Sequence, residues 1–351
     1  MRNLFAVIMA GGRSERFWPL GSEQRPKPFI PLLGPNTLFQ ATVSRVRPLI
    51  PPERILIAIG ETHQALAAEQ APEIPPDNFI LEPFGRDTAP CLGWSALHIE
   101  RRDPEGIMIA LPADHFIAEP ERFRITLEKA LRSLPGATGI VFGIRPDRAE
   151  TGYGYIRAEK PAVPADTWPV VRFVEKPDSA TAASYVQSGR YLWNSGMFLW
   201  RNRTLLELFQ RHMPDAYSRL AHLRPLVGLQ DRRDEIREIF GGFRRTSIDY
   251  GILEKTSGLR LIPADYSWDD IGNWSSLGRA VPADAGGNIT RGPVTTAESR
   301  DCVVLSDSAP VAVFGATGLV VVRARDRVLV CPKERAPDLK KLLSALPEEM
   351  K

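Results

Sequence analysis

Positive charge crowds onto the end of the first apolar run. Leu4–Met9 and Ala10 are followed by Gly11 and Gly12, and then by Arg13, Arg16, Arg25 and Lys27 before any further apolar stretch. A glycine turn lets backbone N–H groups approach an anion closely. Arginine offers phosphate oxygens a planar fork, and lysine a mobile point charge. Pro26 and Pro28 stiffen the chain on both sides of Lys27, which lowers the entropy of aiming it. The stretch therefore reads as a phosphate-binding loop of neither familiar type, with a solvated loop of surface charges as the alternative. Residues 11–16 are GGRSER, which fails the Gly-x-Gly-x-x-Gly fingerprint, and no Gly-Lys-Ser/Thr end is present.

Acids and amides stand at other strand ends. Asp114 follows the apolar run Ile107–Leu111, and Asp270 lies in WDDIGNW, with Asp269 as its rival. Taken singly, Asp114 reads as a turn or cap residue and Asp270 as a turn residue. Glu175 and Lys176 close the run Val170–Val174, where an exposed ion pair is the ordinary reading. Neighbours on a strand face opposite sides, so both reach one ligand only at a frayed end, which Pro177 supplies. Asn194 precedes Met197–Trp200 and reads locally as a turn residue. No catalytic triad and no metal-ligand spacing is visible among the five histidines, and His115 reads as structural. Trp268 and Trp274 read as packing around Asp270, while Trp193 suits either a sugar pocket or the core.

Read together, GGRSERFWPL (11–20), RPKPF (25–29), EPFGRDTAP (82–90), LPADH (111–115), TGYGYI (151–156), FVEKP (173–177), NSGMFLW (194–200), SIDYGILEK (247–255), WDDIGNW (268–274) and VLVCPKE (328–334) run in register along nearly the whole chain. This series resembles the sugar-nucleotide pyrophosphorylases, and among them the guanylyltransferases that act on mannose 1-phosphate. The resemblance implies transfer of GMP from GTP to mannose 1-phosphate, giving GDP-mannose and pyrophosphate, with Mg²⁺ held by Asp114 and Asp270. It implies Arg16, Lys27 and Asp114 as catalytic residues. Ala10, Gly11, Gly12, Ser14, Arg86, Asp87, Thr88 and Pro112 join Arg16 and Asp114 around the nucleotide. Gly152, Tyr153, Glu175, Lys176, Asn194 and Asp249 are assigned to the sugar phosphate, Glu175 to its hydroxyls and Lys176 to its phosphate. The long form of such enzymes adds an isomerase domain, which is not expected in a chain of 351 residues.

The chemistry agrees with the absence of a triad. A phosphate monoester has its second pKa near 6 and needs no base to become a nucleophile. The difficulty is bringing two anions together in line, which calls for cations. Two departures from the family pattern stand out: Ser14 replaces a usual glycine, and Asp87 replaces a usual asparagine. As a carboxylate, Asp87 is able to accept from both N1 and N2 of guanine; an exposed loop acid is the equal alternative.

These residues need a scaffold. Apolar runs at Leu4–Met9, Ile55–Ile59, Phe79–Leu81, Ile107–Leu111 and Thr138–Ile144 alternate with helical patterns at 37–46, 61 onward, 89–101 and 120–134. That predicts an α/β fold, a Rossmann-like mostly parallel mixed sheet flanked by helices, with ligands at the carboxyl ends of the strands. Strands are expected at 153–157, 170–174, 197–200 and 259–263, with helices at 180–187, 204–211 and 248–255. Beyond Gly286 and Gly287 short β runs recur every eight to ten residues, ending in a helix over 337–346. The expected division is a catalytic domain over 1–285 and a β-rich, β-helix-like module over 286–351. By resemblance alone, that module is a surface for a homodimer.

Composition excludes other classes. The net charge is +3 with no basic run, which argues against nucleic acid. Cys91, Cys302 and Cys331 stand far apart and read as reduced thiols. There is no signal-peptide pattern and no 18-residue apolar stretch, so a cytoplasmic location away from membranes is expected. The failed fingerprint disfavours a dehydrogenase. Open rivals are a pyrophosphorylase for another sugar or base, and a non-catalytic sensor of nucleotide sugars, for which Ser14 is the best support.

Overall fold

The computed structural model describes residues 3–12 and 15–347. Arg13 and Ser14 lie outside them. In chain order the strands are β1 (Leu4–Met9), β2 (Ile55–Gly60), β3 (Phe79–Glu82), β4 (Ile107–Pro112), β5 (Phe116–Ile117), β6 (Gly139–Ile144), β7 (Tyr155–Ala158), β8 (Trp168–Val174) and β9 (Tyr191–Arg201). They continue with β10 (Leu259–Pro263), β11 (Trp268–Asp269), β12 (Ile289–Arg291), β13 (Val294–Ala297), β14 (Val303–Ser306), β15 (Val311–Phe314), β16 (Leu319–Ala324) and β17 (Arg327–Pro332). The chain forms two compact units, neither continuous in sequence. One holds 3–10, 42–113 and 119–267; the other holds 11–12, 15–41, 114–118 and 268–347. Residue 285 falls inside the second.

The first unit is built on one mixed sheet of order β3-β2-β1-β4-β9-β6-β10-β8-β7. The first four strands are parallel, and β9 runs antiparallel between β4 and β6. β1 reads LFAVIM and is buried on both faces, as a central parallel strand requires. Phe5 and Val7 pack into one cluster with Leu92 and Ala96 of the helix Thr88–Arg102. Ala6 and Ile8 point the other way and are also fully buried, so the second face is covered too.

β9 is longer than expected from sequence, because Asn194-Ser195-Gly196 is a bulged strand and not a turn. The register against β6 slips between Val141 and Gly143. The buried Ser195 hydroxyl donates to the Phe142 carbonyl at 2.7 Å, and Gly196 takes φ 69°. Glycine suits that left-handed position, and the bulge re-aims Asn194. Helices at Pro214–Leu223 and Arg233–Gly241 were also not anticipated, and the expected helix over 248–255 is one short α turn, Ile248–Gly251, followed by a 3₁₀ turn.

In the second unit, β12, β14 and β16 stack in parallel, with β17 antiparallel at the edge, and β13 pairs with β15 in parallel. Repeated parallel pairing of short strands is the β-helix pattern. Val303, Leu305, Val320, Val322, Leu329 and Leu339 share one apolar core with Phe17, Trp18, Ile30, Leu32, Leu38, Ile271 and Trp274. The basic loop and the β-rich strands are thus one folding body.

Candidate functional site

In the second unit the basic loop turns at Gly12 and is anchored again at Lys27. Gly12 has φ 118°, a conformation that L-residues rarely adopt, and among the described residues, its chain neighbours aside, no atom lies within 4 Å of where a Cβ would stand. Lys27 begins a 3₁₀ turn anchored by fully buried Phe29 and Ile30. β5 pairs antiparallel with β11, which brings the Asp114 and Asp270 segments side by side although they are far apart in sequence. The Lys27 ammonium donates to Asp114 Oδ2 at 2.7 Å and also to the Asp270 carbonyl. Arg16 Nη1 and both carboxylate oxygens of Asp270 lie within about 3.5 Å of one point beside Gly272. Arg16, Lys27, Asp114 and Asp270 therefore gather in one place.

Two supports hold this arrangement. Burial alone would push the Asp114 carboxyl upward, but the Lys27 ammonium outweighs it and holds Asp114 below the usual carboxylate range. Trp268 donates its indole N–H to His115 Nδ1 at 3.2 Å, so His115 Nε2 carries the proton, facing Asp114 Oδ1 at 3.8 Å. Asp269 is buried, takes a two-pronged contact from Arg279 at 2.5 and 3.0 Å, and accepts from Ile271 N at 2.8 Å. Ile271, at φ 45°, is a β-branched residue in a strained conformation that this clamp maintains. Asp269 is thus engaged in the fold, while Asp270 faces Arg16.

The residues fit a hard divalent cation. Two carboxylates from this unit leave the remaining positions to phosphate oxygens and water, the usual style for Mg²⁺. Among the described residues no group of three or more His, Cys, Asp or Glu forms an all-protein cage.

The first unit carries the residues that the resemblance assigns to the sugar phosphate. Asn194 donates to Asp249 Oδ1 at 2.7 Å, and its own backbone N–H donates to the Gly154 carbonyl at 2.8 Å. Burial, then the nearby Glu175 charge, push Asp249 up to about 6. Glu175 is largely buried and lies against Gly154, while Lys176, at φ 45°, is exposed and 3.3 Å from Glu175 Oε1. Glu175, Lys176 and Asp249 line a cavity of about 1040 Å³ with Asp87 and Thr88. Tyr153 packs edge-on to fully buried Trp193, and Gly152 N donates to Glu150 Oε1 at 3.1 Å. Trp193 is therefore core. Pro112 ends β4 opposite Met9, and Ala10 is tied to β2 through the Ala58 carbonyl.

Two side chains of the 86–88 loop have protein partners of their own. Arg86 donates to the carbonyls of Phe240 and Gly241 and lies over the Phe84 ring, so its guanidinium serves the fold. Asp87, at φ 72°, caps the helix Thr88–Arg102 by accepting from Thr88 N. Sequence reasoning passed over Glu82. It ends β3 almost fully buried, one of its oxygens has no hydrogen-bond partner among the described residues, and burial pushes it up to about 7. An acid closing an apolar strand was the visible signal.

A family model described as nucleotidyl transferase matches residues 5–287, and one described as a MannoseP isomerase/GMP-like beta-helix domain matches 292–346. The chain belongs to the nucleotidyl transferase family. Its relatives include the mannose-1-phosphate guanylyltransferase of Escherichia coli (strain K12), 37% identical over 98% of this chain and 73% of the relative. The alginate biosynthesis protein AlgA of Pseudomonas aeruginosa is 36% identical over 98% of this chain and 72% of its own length. A solved structure described as a mannose-1-phosphate geranyltransferase from Thermus thermophilus superposes with TM-score 0.89 at 36% identity, covering 98% of this chain and 99% of that one. This nucleotidyl transferase thus has the sheet-plus-β-helix fold that its sequence resembled. Among its described residues no helix is long and apolar enough to cross a membrane.

Proposed function

We propose that this chain transfers GMP from GTP to mannose 1-phosphate, releasing pyrophosphate. The observation that carries the reading is the gathering of Arg16, Lys27, Asp114 and Asp270, supported by relatives that bear this activity in their names. A sugar-phosphate oxygen, already anionic at neutral pH, attacks the α-phosphorus of GTP. The bond from the α-phosphorus to the bridging oxygen breaks, and that oxygen leaves with pyrophosphate. No protein base is required. Arg16 and Lys27 neutralise the charge that develops on the leaving group, which is the main barrier in such transfers. When bound between Asp114 and Asp270, Mg²⁺ would supply further charge neutralisation across the phosphate oxygens. Glu175, Asn194 and Asp249 read hexose hydroxyls, Lys176 holds the sugar phosphate, and the backbone of 152–153 completes that side. The Ala10–Gly12 turn and the 86–88 loop hold the nucleotide, and the C-terminal module is a candidate homodimer surface.

Pyrophosphate release measured with each pairing of sugar 1-phosphate and nucleoside triphosphate, with and without Mg²⁺, tests this. The highest kcat/KM is expected for mannose 1-phosphate with GTP and Mg²⁺. A preference for another pair would reassign the substrate, and no release with any pair would leave a sensor.

A further inference from the structure

Arg86, in the loop expected to hold the base, spends its guanidinium on the carbonyls of Phe240 and Gly241. A second segment stands against that same loop. Thr246 N donates to the Arg86 carbonyl at 3.4 Å, Ala89 N to the Thr246 carbonyl at 3.1 Å, and Ile248 N to Thr88 Oγ1 at 2.8 Å. The segment is anchored by buried Phe243, whose ring meets that of Phe240 at 5.3 Å. Its next two residues, Arg244 and Arg245, line the same cavity as Asp87 and Thr88. Both are exposed, and among the described residues neither guanidinium has a hydrogen bond or an ion pair. Two adjacent like charges on a tethered segment, facing a cavity with no counter-ion of their own, are placed for a ligand that brings acceptors.

We propose that Arg244 and Arg245 supply the donors that read the O6 and N7 edge of guanine, which makes them specificity residues for the nucleotide. The proposal rests on the reading of GTP as donor substrate and deepens it. Guanine presents two adjacent acceptors there, and one guanidinium fork satisfies both. Adenine presents an amino donor where guanine has O6, so the same fork opposes it. Asp87, which lines the same cavity, carries a carboxylate of the sign that N1–H and N2–H of guanine require.

The experiment compares kcat/KM for GTP, 7-deaza-GTP and ATP in the wild-type chain and in Arg244→Ala, Arg245→Ala, the double variant and the two Arg→Lys variants. Melting temperatures are recorded alongside. 7-Deaza-GTP lacks only the N7 acceptor. The wild type should prefer GTP to 7-deaza-GTP by about 10-fold or more. In the double variant that preference should fall close to unity, and the GTP-to-ATP ratio should shrink at least tenfold, with the KM for mannose 1-phosphate unchanged. Lysine keeps the charge but not the fork, so Arg→Lys should restore little discrimination. Unchanged ratios in the double variant would overturn the proposal. So would a loss confined to the KM for mannose 1-phosphate, because the arginines would then serve the sugar phosphate beside Lys176. A melting temperature lowered by many degrees in every variant would assign them to the fold instead. A wild-type chain that ignores GTP altogether would fail the parent reading first, so the two failures are distinguishable.

Discussion

Replacing Gly154 by alanine should separate substrate recognition from stability. Gly154 is buried between β7 and the Tyr153 packing, and a Cβ built on it falls inside 3.0 Å of Glu175 Oε2, with Asn194 Cβ at 3.3 Å. Its φ is not in the left-handed region, so the backbone accepts alanine. The obstructing atom is the end of a flexible side chain, which moves at small cost. Restoring ordinary contact requires the Glu175 carboxylate to retreat by about 1 Å. A retreat of that size breaks the hydrogen bond proposed between Glu175 and a hexose hydroxyl. Hydrogen bonds to charged groups contribute about 1.5–3 kcal/mol, so kcat/KM for mannose 1-phosphate should fall about 10- to 150-fold. The KM for GTP should not change. Gly→Ala at a compatible φ gains roughly 0.4–1 kcal/mol from the unfolded state, so the melting temperature should hold or rise slightly. Initial rates of pyrophosphate release at saturating GTP, with a thermal melt of the same samples, check both halves. Wild-type KM for the sugar phosphate in Gly154→Ala would refute the reasoning, and so would a drop of many degrees in melting temperature. A Gly154→Ala/Glu175→Ala pair should be no worse than Glu175→Ala alone, since both changes remove one contact.

Asp114→Asn should lower turnover by orders of magnitude and abolish Mn²⁺ binding measured without turnover, while circular dichroism stays native; retained Mn²⁺ affinity would remove Asp114 from the metal site. Asp269→Ala leaves Arg279 and Ile271 N without their acceptor and should cost about 1–3 kcal/mol in denaturant unfolding, more than Asp270→Ala. Asp249 titrates at 3.8 unfolded and about 6 folded, so the native state binds the extra proton between those values. Stability therefore falls as pH rises through that window, and Asp249→Asn should raise the melting temperature above pH 6 while leaving it unchanged below pH 3.8. The same sign holds for Glu82→Gln, with the gain appearing as pH rises from 4.5 to about 7.

Much of the scaffold could be read from local pattern. β1 and β10 match their expected bounds, and Thr37 caps the helix Leu38–Val46, its hydroxyl accepting from Gln40 N at 3.2 Å. What escaped was non-local. Asn194-Ser195-Gly196 carries turn residues, and only the Phe142 carbonyl opposite explains why they form a bulged strand. Pro214–Leu223 begins with proline directly after another helix, so its short apolar stripe was hidden. The gathering of Arg16, Lys27, Asp114 and Asp270 was legible only through the ordered motifs, since the β5–β11 pairing joins residues that sequence spacing separates. Arg86 shows the converse: a residue of the right type in the right loop, whose guanidinium the carbonyls of a neighbouring helix have taken.

The interior shared by Phe17, Trp18, Ile30 and Leu38 with Val303, Val320, Leu329 and Leu339 bears on how such a protein can be cut or recombined. A break between 287 and 292, where the two family models meet, would strip one wall from the segment that carries Arg16. A hybrid that exchanges the last sixty or so residues with a relative's would need to bring residues 15–41 along. The piece that can be inherited whole is scattered along the gene, and its seams do not coincide with the places where the motifs change.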